Sequence, residues 1–116
     1  MPKVITIHEY ILKPEADEKQ FERAILEARD SGLLKLPGLT AYHFVKGLRG
    51  ARKGSYTAIW IYESREAWEK VWGKPDNPPS KQDYPENWKI WEDQVLAPFL
   101  SQDPDTITFT AYEELS

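Results

Sequence analysis

Two kinds of side chain in this 116-residue chain could do chemistry at neutral pH: histidine, present twice, and a dense set of tyrosines and tryptophans. His8 stands in the run VITIHEYIL, where alternation puts Val4, Thr6, His8, Tyr10 and Leu12 on one face and Ile5, Ile7, Glu9 and Ile11 on the other. A mid-strand imidazole among aromatic neighbours is a candidate general base, since histidine titrates near neutral pH. The competing reading is a packed core histidine hydrogen-bonded to a tyrosine. Tyr10, Tyr56, Trp60, Tyr62, Trp68, Trp88 and Trp91 are candidates to wall a pocket for a flat hydrophobic ligand, with plain core packing as the alternative. His43 falls on a different strand and reads as surface or interface.

Other chemistries find little support. Two histidines on non-adjacent strands and no cysteine offer no metal-ligand spacing, so no metal is expected. No glycine-rich turn joins a strand to a helix, so neither a nucleotide cradle nor any other cofactor site is expected. A net charge of −4 and a pI near 5.2 argue against nucleic acid and anionic membrane as partners. The basic loop carrying Lys46, Arg49, Arg52 and Lys53 runs into a Lys-Gly step as RNA-recognition strands do. Ser55 and Thr57, however, occupy the positions where bases would stack. The opening MPKVITIHEY has no long apolar stretch and no 18-residue apolar run follows, which predicts a cytoplasmic protein.

The elements that must position these residues are legible. The first strand runs from Val4 to Leu12 and is ended by Pro14. Asp17 is an N-cap for a helix with Phe21, Ala24, Ile25 and Ala28 on one stripe. Leu36-Pro37-Gly38 turns the chain into a second strand, Leu39 to Lys46, and the glycine-rich residues 47–54 form a hairpin loop. In the next strand Tyr56, Ala58, Trp60 and Tyr62 alternate with Thr57, Ile59 and Ile61; both faces are apolar or aromatic, which predicts a central strand. Ser64 caps a helix bearing Ala67, Trp68, Val71 and Trp72. Residues 73–85 are too rich in proline for helix or strand. Pro85 then opens a helix with Trp88, Trp91 and Val95 buried, which Pro98 kinks or ends, and Thr106 to Tyr112 alternates as a last strand.

This order predicts an α+β, ferredoxin-like β-α-β-β-α-β fold in one domain over residues 1–116. Its antiparallel sheet takes the order 4-1-3-2, with helices on one face only. The uncovered face would then carry Ile5, Ile7, Ile11, Ile59 and Ile61, an apolar patch larger than a soluble monomer tolerates. The expected cover is a second copy, packed sheet against sheet. A tail or loop folded over the sheet is the alternative.

The segments ITIHEYILKPE, LPGLTAYHF and YTAIWIYESREAWEKVW, taken in order, resemble the dimeric α/β-barrel superfamily, and within it the antibiotic-biosynthesis monooxygenase-like domains and their cofactor-free relatives. The shared features are a first strand ending in Lys-Pro, a Leu-Pro-Gly before the second strand, and an aromatic-Glu-Ser step into the second helix. The resemblance implies a dimeric barrel, and in each protomer a pocket between sheet and helices faced by Tyr56, Trp60, Tyr62, His8 and Tyr10. It also spans quinone-forming oxygenases, polyketide cyclases and haem-degrading enzymes. The haem-degrading branch carries a ligating histidine late in the second helix, and no histidine occurs between Ser64 and Ser116. The implied function is a small-molecule pocket of the cofactor-independent monooxygenase or cyclase kind, acting on a flat hydrophobic or aromatic metabolite with His8 as catalytic residue. The alternative is a non-catalytic dimeric binding or sensing module.

Overall fold

Each strand forms where alternation puts apolar side chains on one face at least, and the two longer α-helices begin at residues whose side chains cap them. A computed structural model describes residues 2–115. Strand β1 (Val4–Tyr10) is followed by α1 (Glu18–Asp30), β2 (Leu39–Lys46), β3 (Tyr56–Tyr62), α2 (Arg65–Trp72), α3 (Glu86–Ile90) and β4 (Thr108–Glu113). The Asp17 carboxylate accepts the Lys19 and Gln20 N–H groups at 2.8 and 3.3 Å. The Ser64 hydroxyl accepts the Ala67 N–H at 3.1 Å. Both caps satisfy donors that the first helical turn would otherwise leave open.

The sheet has the order β2-β3-β1-β4, antiparallel throughout, so β1 and β3 are central as their two-sided apolar pattern predicts. This is the ferredoxin-like arrangement. Register places His8 opposite Ala58 on β3 and Phe109 on β4, and Thr6 opposite Trp60 and Ala111. On the helix side Val4, Thr6 and Tyr10 of β1 and Tyr56, Ala58, Trp60 and Tyr62 of β3 are buried. Helix α1 buries Phe21, Ile25 and Ala28 against this face.

On the other face Ile5 pairs with Ile61 and Tyr112, and Ile7 with Ile59 and Thr110. His43 of β2 lies opposite Ile59 on the same face. The four isoleucines are only half-buried, Val45 and Tyr112 are exposed, and no helix among the described residues covers them.

Three boundaries differ from the sequence-based expectation. The first strand ends at Tyr10, because residues 11–13 pair with the chain after Pro98 instead. Lys13 donates to the Phe99 carbonyl at 2.8 Å, Ser101 to that of Ile11 at 2.9 Å, and Leu12 bridges Leu100. Ile11 is left exposed beyond the strand. The last strand starts at Thr108, since Asp103 caps a 3₁₀ turn over Pro104–Thr106. Helix α3 passes without a break into a π-helix, Trp91–Leu96, in which the Ala97 N–H reaches the Glu92 carbonyl at 2.9 Å. Pro98 has no N–H to offer the Gln94 carbonyl, so a regular last turn could not be completed. The wide turns bury Trp91, Glu92 and Leu96 together.

The proline segment after α2 is irregular until a 3₁₀ turn at Lys81–Asp83. It leaves the helix at Gly73, whose φ of 76° suits only glycine and whose Cβ, if present, would lie 2.5 Å from the Asn77 carbonyl oxygen. That close approach folds Pro75 to Pro79 back over the space between α2 and the sheet.

Candidate functional site

Between the helix-side face of the sheet and the covering helices lies a cavity of about 550 Å³, within the size range of small-molecule sites. β1 contributes Thr6 and His8, and β3 contributes Trp60 and Tyr62. The helices contribute Trp68, Trp72, Trp88 and Glu92. Pro75, Pro78, Pro79 and Tyr84 of the irregular segment close one side, and Phe109 of β4, which is 60% exposed, stands at the mouth.

The aromatic rings contact one another edge to face. Trp60 and Trp88 have centroids 5.0 Å apart, Trp72 and Trp88 5.4 Å, and Trp72 and Tyr84 5.2 Å. Such tilted contacts suit the ring quadrupoles and hold the walls in one arrangement. Two hydrogen bonds fasten the rim. The Trp72 indole N–H donates to the Tyr62 hydroxyl at 2.9 Å, and the Tyr84 hydroxyl donates to the Asp105 carboxylate at 2.9 Å. Burial pushes the Tyr62 hydroxyl up to about 12 against the opposing Trp72 bond, so it stays neutral.

His8 lies in this wall, half-buried, with Trp88 5.6 Å, Phe109 5.7 Å and Trp60 6.0 Å from its ring centroid. No tyrosine orients it, and its buried Nδ1 has no hydrogen-bond partner among the described residues. Desolvation lowers its pKa to about 4. An imidazole desolvated in this way is uncharged through the neutral range and carries one N–H donor and one acceptor nitrogen.

Of the seven aromatic candidates, Trp60, Tyr62, Trp68 and Trp88 line the cavity. The other three do not. Tyr10 is 1% exposed and packs on Phe21 at 6.2 Å beneath α1. Tyr56 points toward α1, where its hydroxyl donates to Glu22 and reaches Glu18 at 3.3 Å. Trp91 is fully buried against Phe44 and Trp60, at 5.5 and 6.1 Å. Tyr10 and Tyr56 share the sheet face with the cavity residues but sit at its α1 end, and Trp91, on the π-helix, is packed onto the sheet at Phe44 and Trp60.

Glu92 is the residue that the sequence reading overlooked. Its side chain is 5% exposed, it lines the cavity, and its Oε1 lacks a hydrogen-bond partner. The nearest cation, the Lys81 ammonium, lies 3.6 Å away, beyond hydrogen-bond reach, and is bonded to Asp93 at 2.8 Å. Burial, and then the Asp105 charge, raise the carboxyl to about 7, while Lys81 and the Trp88 N–H work the other way. A signal was present: Glu92 falls four residues after Trp88, on the stripe that otherwise holds apolar residues.

These two groups make folding stability depend on pH in opposite senses. Folded Glu92 binds a proton more tightly than the unfolded chain does, so its contribution declines as pH rises from about 4.5 through about 7. Folded His8 binds one more weakly, so its contribution is lost as pH falls from about 6.5 through about 4. Glu92→Gln, which cannot ionise, should gain stability relative to the natural protein by about 3 kcal/mol between pH 4.5 and 8. Urea unfolding at the two pH values measures this, and a pH-independent difference would contradict the burial of the charge.

Among the described residues no group of three or more His, Cys, Asp or Glu could hold a metal ion, and no helix is long and apolar enough to cross a membrane.

No family model matches the chain, and no curated protein does. Solved structures do. A protein from Bordetella bronchiseptica, provisionally assigned as an antibiotic biosynthesis monooxygenase, superposes with a TM-score of 0.66 over all of both chains at 10% identity. SnoaB, a cofactor-independent oxygenase from Streptomyces nogalater, gives 0.51 over 100% of this chain and 94% of its own at 10% identity. A dimeric ferredoxin-like protein from Thermobifida fusca gives 0.53 over 97% and 89% at 15% identity. At these identities the likeness shows the fold: an α+β, ferredoxin-like chain of the kind found in antibiotic biosynthesis monooxygenase-like proteins.

Proposed function

We propose that the cavity binds a flat hydrophobic or aromatic small molecule and that the protein transforms it without a cofactor, in the manner of an oxygenase or cyclase. The ligand contacts would come from Trp60, Tyr62, Trp68 and Trp88, with His8 as a catalytic residue touching the ligand. The observation that carries this reading is an aromatic cavity of ligand size with an unpartnered imidazole nitrogen in its wall. A buried polar atom without a partner costs stability unless something else supplies the bond. A bound ligand would supply it once the ring turns that nitrogen toward the cavity. The fold shared with a cofactor-independent oxygenase supports the same class of chemistry.

The working form would be a homodimer joined through the open sheet face, where Ile5, Ile7, Ile59 and Ile61 are only half-buried. A cytoplasmic location accords with the cysteine-free composition. The second reading, a dimeric binding or sensing module, is favoured by one observation: an imidazole held at about 4 is a weak base for catalysis at pH 7.

Oxygen uptake with hydroxylated or keto-bearing polycyclic aromatics, in metal-free and cofactor-free buffer, separates the two. Ligand-dependent oxygen consumption, or cyclisation followed by mass spectrometry, supports the enzyme. Saturable binding of the same compounds with no product supports the binding module. No binding at all would sink both.

A further inference from the structure

We infer that Glu92 is the general base of this cavity and that His8 serves as a hydrogen-bond donor from the sheet side of it, so that the site acts on ketones carrying a C–H bond next to the carbonyl. The inference rests on the preceding reading, that the cavity takes a flat hydrophobic ligand, and adds a residue and a reaction to it.

His8 reaches the cavity from the sheet and Glu92 from the helical layer. Trp88 links the two: its ring packs at 5.6 Å from the imidazole, and it precedes Glu92 by four residues along the same helical run. His8 Nδ1 is buried without a hydrogen-bond partner, and Glu92 Oε1 has only the Lys81 ammonium at 3.6 Å, too long for a hydrogen bond. A flat ligand stacked among these tryptophans would therefore meet one polar group from each layer.

The chemistry follows from which of the two holds protons more tightly. A neutral imidazole lowered to about 4 takes up a proton poorly, but it can donate its N–H to a developing oxyanion without ever becoming charged. A carboxyl raised to about 7 is a stronger base than an ordinary glutamate and is substantially ionised at neutral pH. The groups facing Glu92 are Lys81 from the 3₁₀ turn, which shares itself with Asp93, and Asp105 from the turn before β4, which is bonded by Tyr84. Tyr10 of β1 lies within electrostatic range and stays neutral.

In the proposed step a Glu92 oxygen takes the proton of the C–H bond. The electron pair of that bond forms the C=C bond of the enolate, and the carbonyl π pair moves onto oxygen, which accepts a hydrogen bond from the His8 N–H. Return of the proton from the Glu92 carboxyl to carbon reverses the step. No oxidant or reductant enters.

The test uses 2-tetralone, a flat bicyclic ketone, in D₂O, with exchange of its C1 protons followed by NMR. The natural protein should exchange them faster than buffer alone, with a rate that climbs through about pH 7 to a plateau. Glu92→Gln should lose about a hundredfold or more and the pH rise with it, while Glu92→Asp, which keeps a carboxylate, retains part of both. Infrared spectra should show a protonated-carboxyl band at pH 6 that vanishes at pH 8 and is missing from Glu92→Gln. The inference is overturned if Glu92→Gln keeps the rate and its pH rise, if the band is absent at pH 6, or if the natural protein exchanges no faster than buffer. Tryptophan quenching by the same ketone runs alongside: binding without exchange would remove this inference and leave the pocket standing, whereas absence of binding would remove both.

Discussion

His8→Ala is expected to lower turnover by about 10²–10⁴-fold, the usual loss for a removed acid–base or hydrogen-bonding group, or about 2.7–5.5 kcal/mol of transition-state stabilisation. The fold should survive. The imidazole makes no protein hydrogen bond through Nδ1, and its neighbours Trp60, Trp88 and Phe109 hold their places through other contacts. The expected loss is the same from about pH 5.5 to 8, because the ring is uncharged over that whole span. Initial rates of the natural protein and His8→Ala at three pH values, beside circular dichroism of both, measure this. A variant that is fully active would take His8 out of the chemistry, and one that fails to fold would make the residue structural.

Ile59→Glu is expected to turn a dimer into a monomer. Ile59 sits in the middle of the open face, opposite Ile7 on β1 and His43 on β2. A two-fold interface places the substitution in it twice. Each carboxylate would lose its water without gaining a partner, a cost of several kcal/mol per ion. The dissociation constant should therefore rise by more than about a hundredfold, or about 2.7 kcal/mol. Light scattering at micromolar concentration should give about twice the 13.5 kDa chain mass for the natural protein and the single mass for the variant. The helix-side core is untouched by the change, so circular dichroism should not alter. A natural protein that is monomeric, or a variant that remains dimeric, would show that the sheet is not the joint.

Most of the fold was legible in the sequence because its signals are local. The alternation of β3 from Tyr56 to Tyr62 matches its burial residue by residue, and the caps at Asp17 and Ser64 are made by the residues that the pattern points to. The boundaries that moved, at Tyr10 and Thr108, were decided by chain segments distant in sequence: the return after Pro98 and the turn capped by Asp103.

The candidate site was legible only in part. Period two tells which face His8, Trp60 and Tyr62 share, but not where along that face the helices leave space. Tyr10 and Tyr56 share the face as well and are covered by α1. Glu92 was hidden by a general expectation that carboxylates belong on the outer side of an amphipathic helix. The π-helical turns and the long reach to Lys81, which set its exposure and its proton affinity, are tertiary facts.

The central claim is that the space between sheet and helices is a binding site walled by particular tryptophans. The five indole N–H resonances of ¹⁵N-labelled protein, recorded while 2-tetralone is titrated in, test it most directly. Trp60, Trp68, Trp72 and Trp88 line the cavity, whereas Trp91 is sealed in the core. The account predicts saturable shifts at the four cavity tryptophans with one shared affinity, and the smallest movement at Trp91. Five unmoved resonances at millimolar ketone, or a shift confined to Trp91, would contradict it.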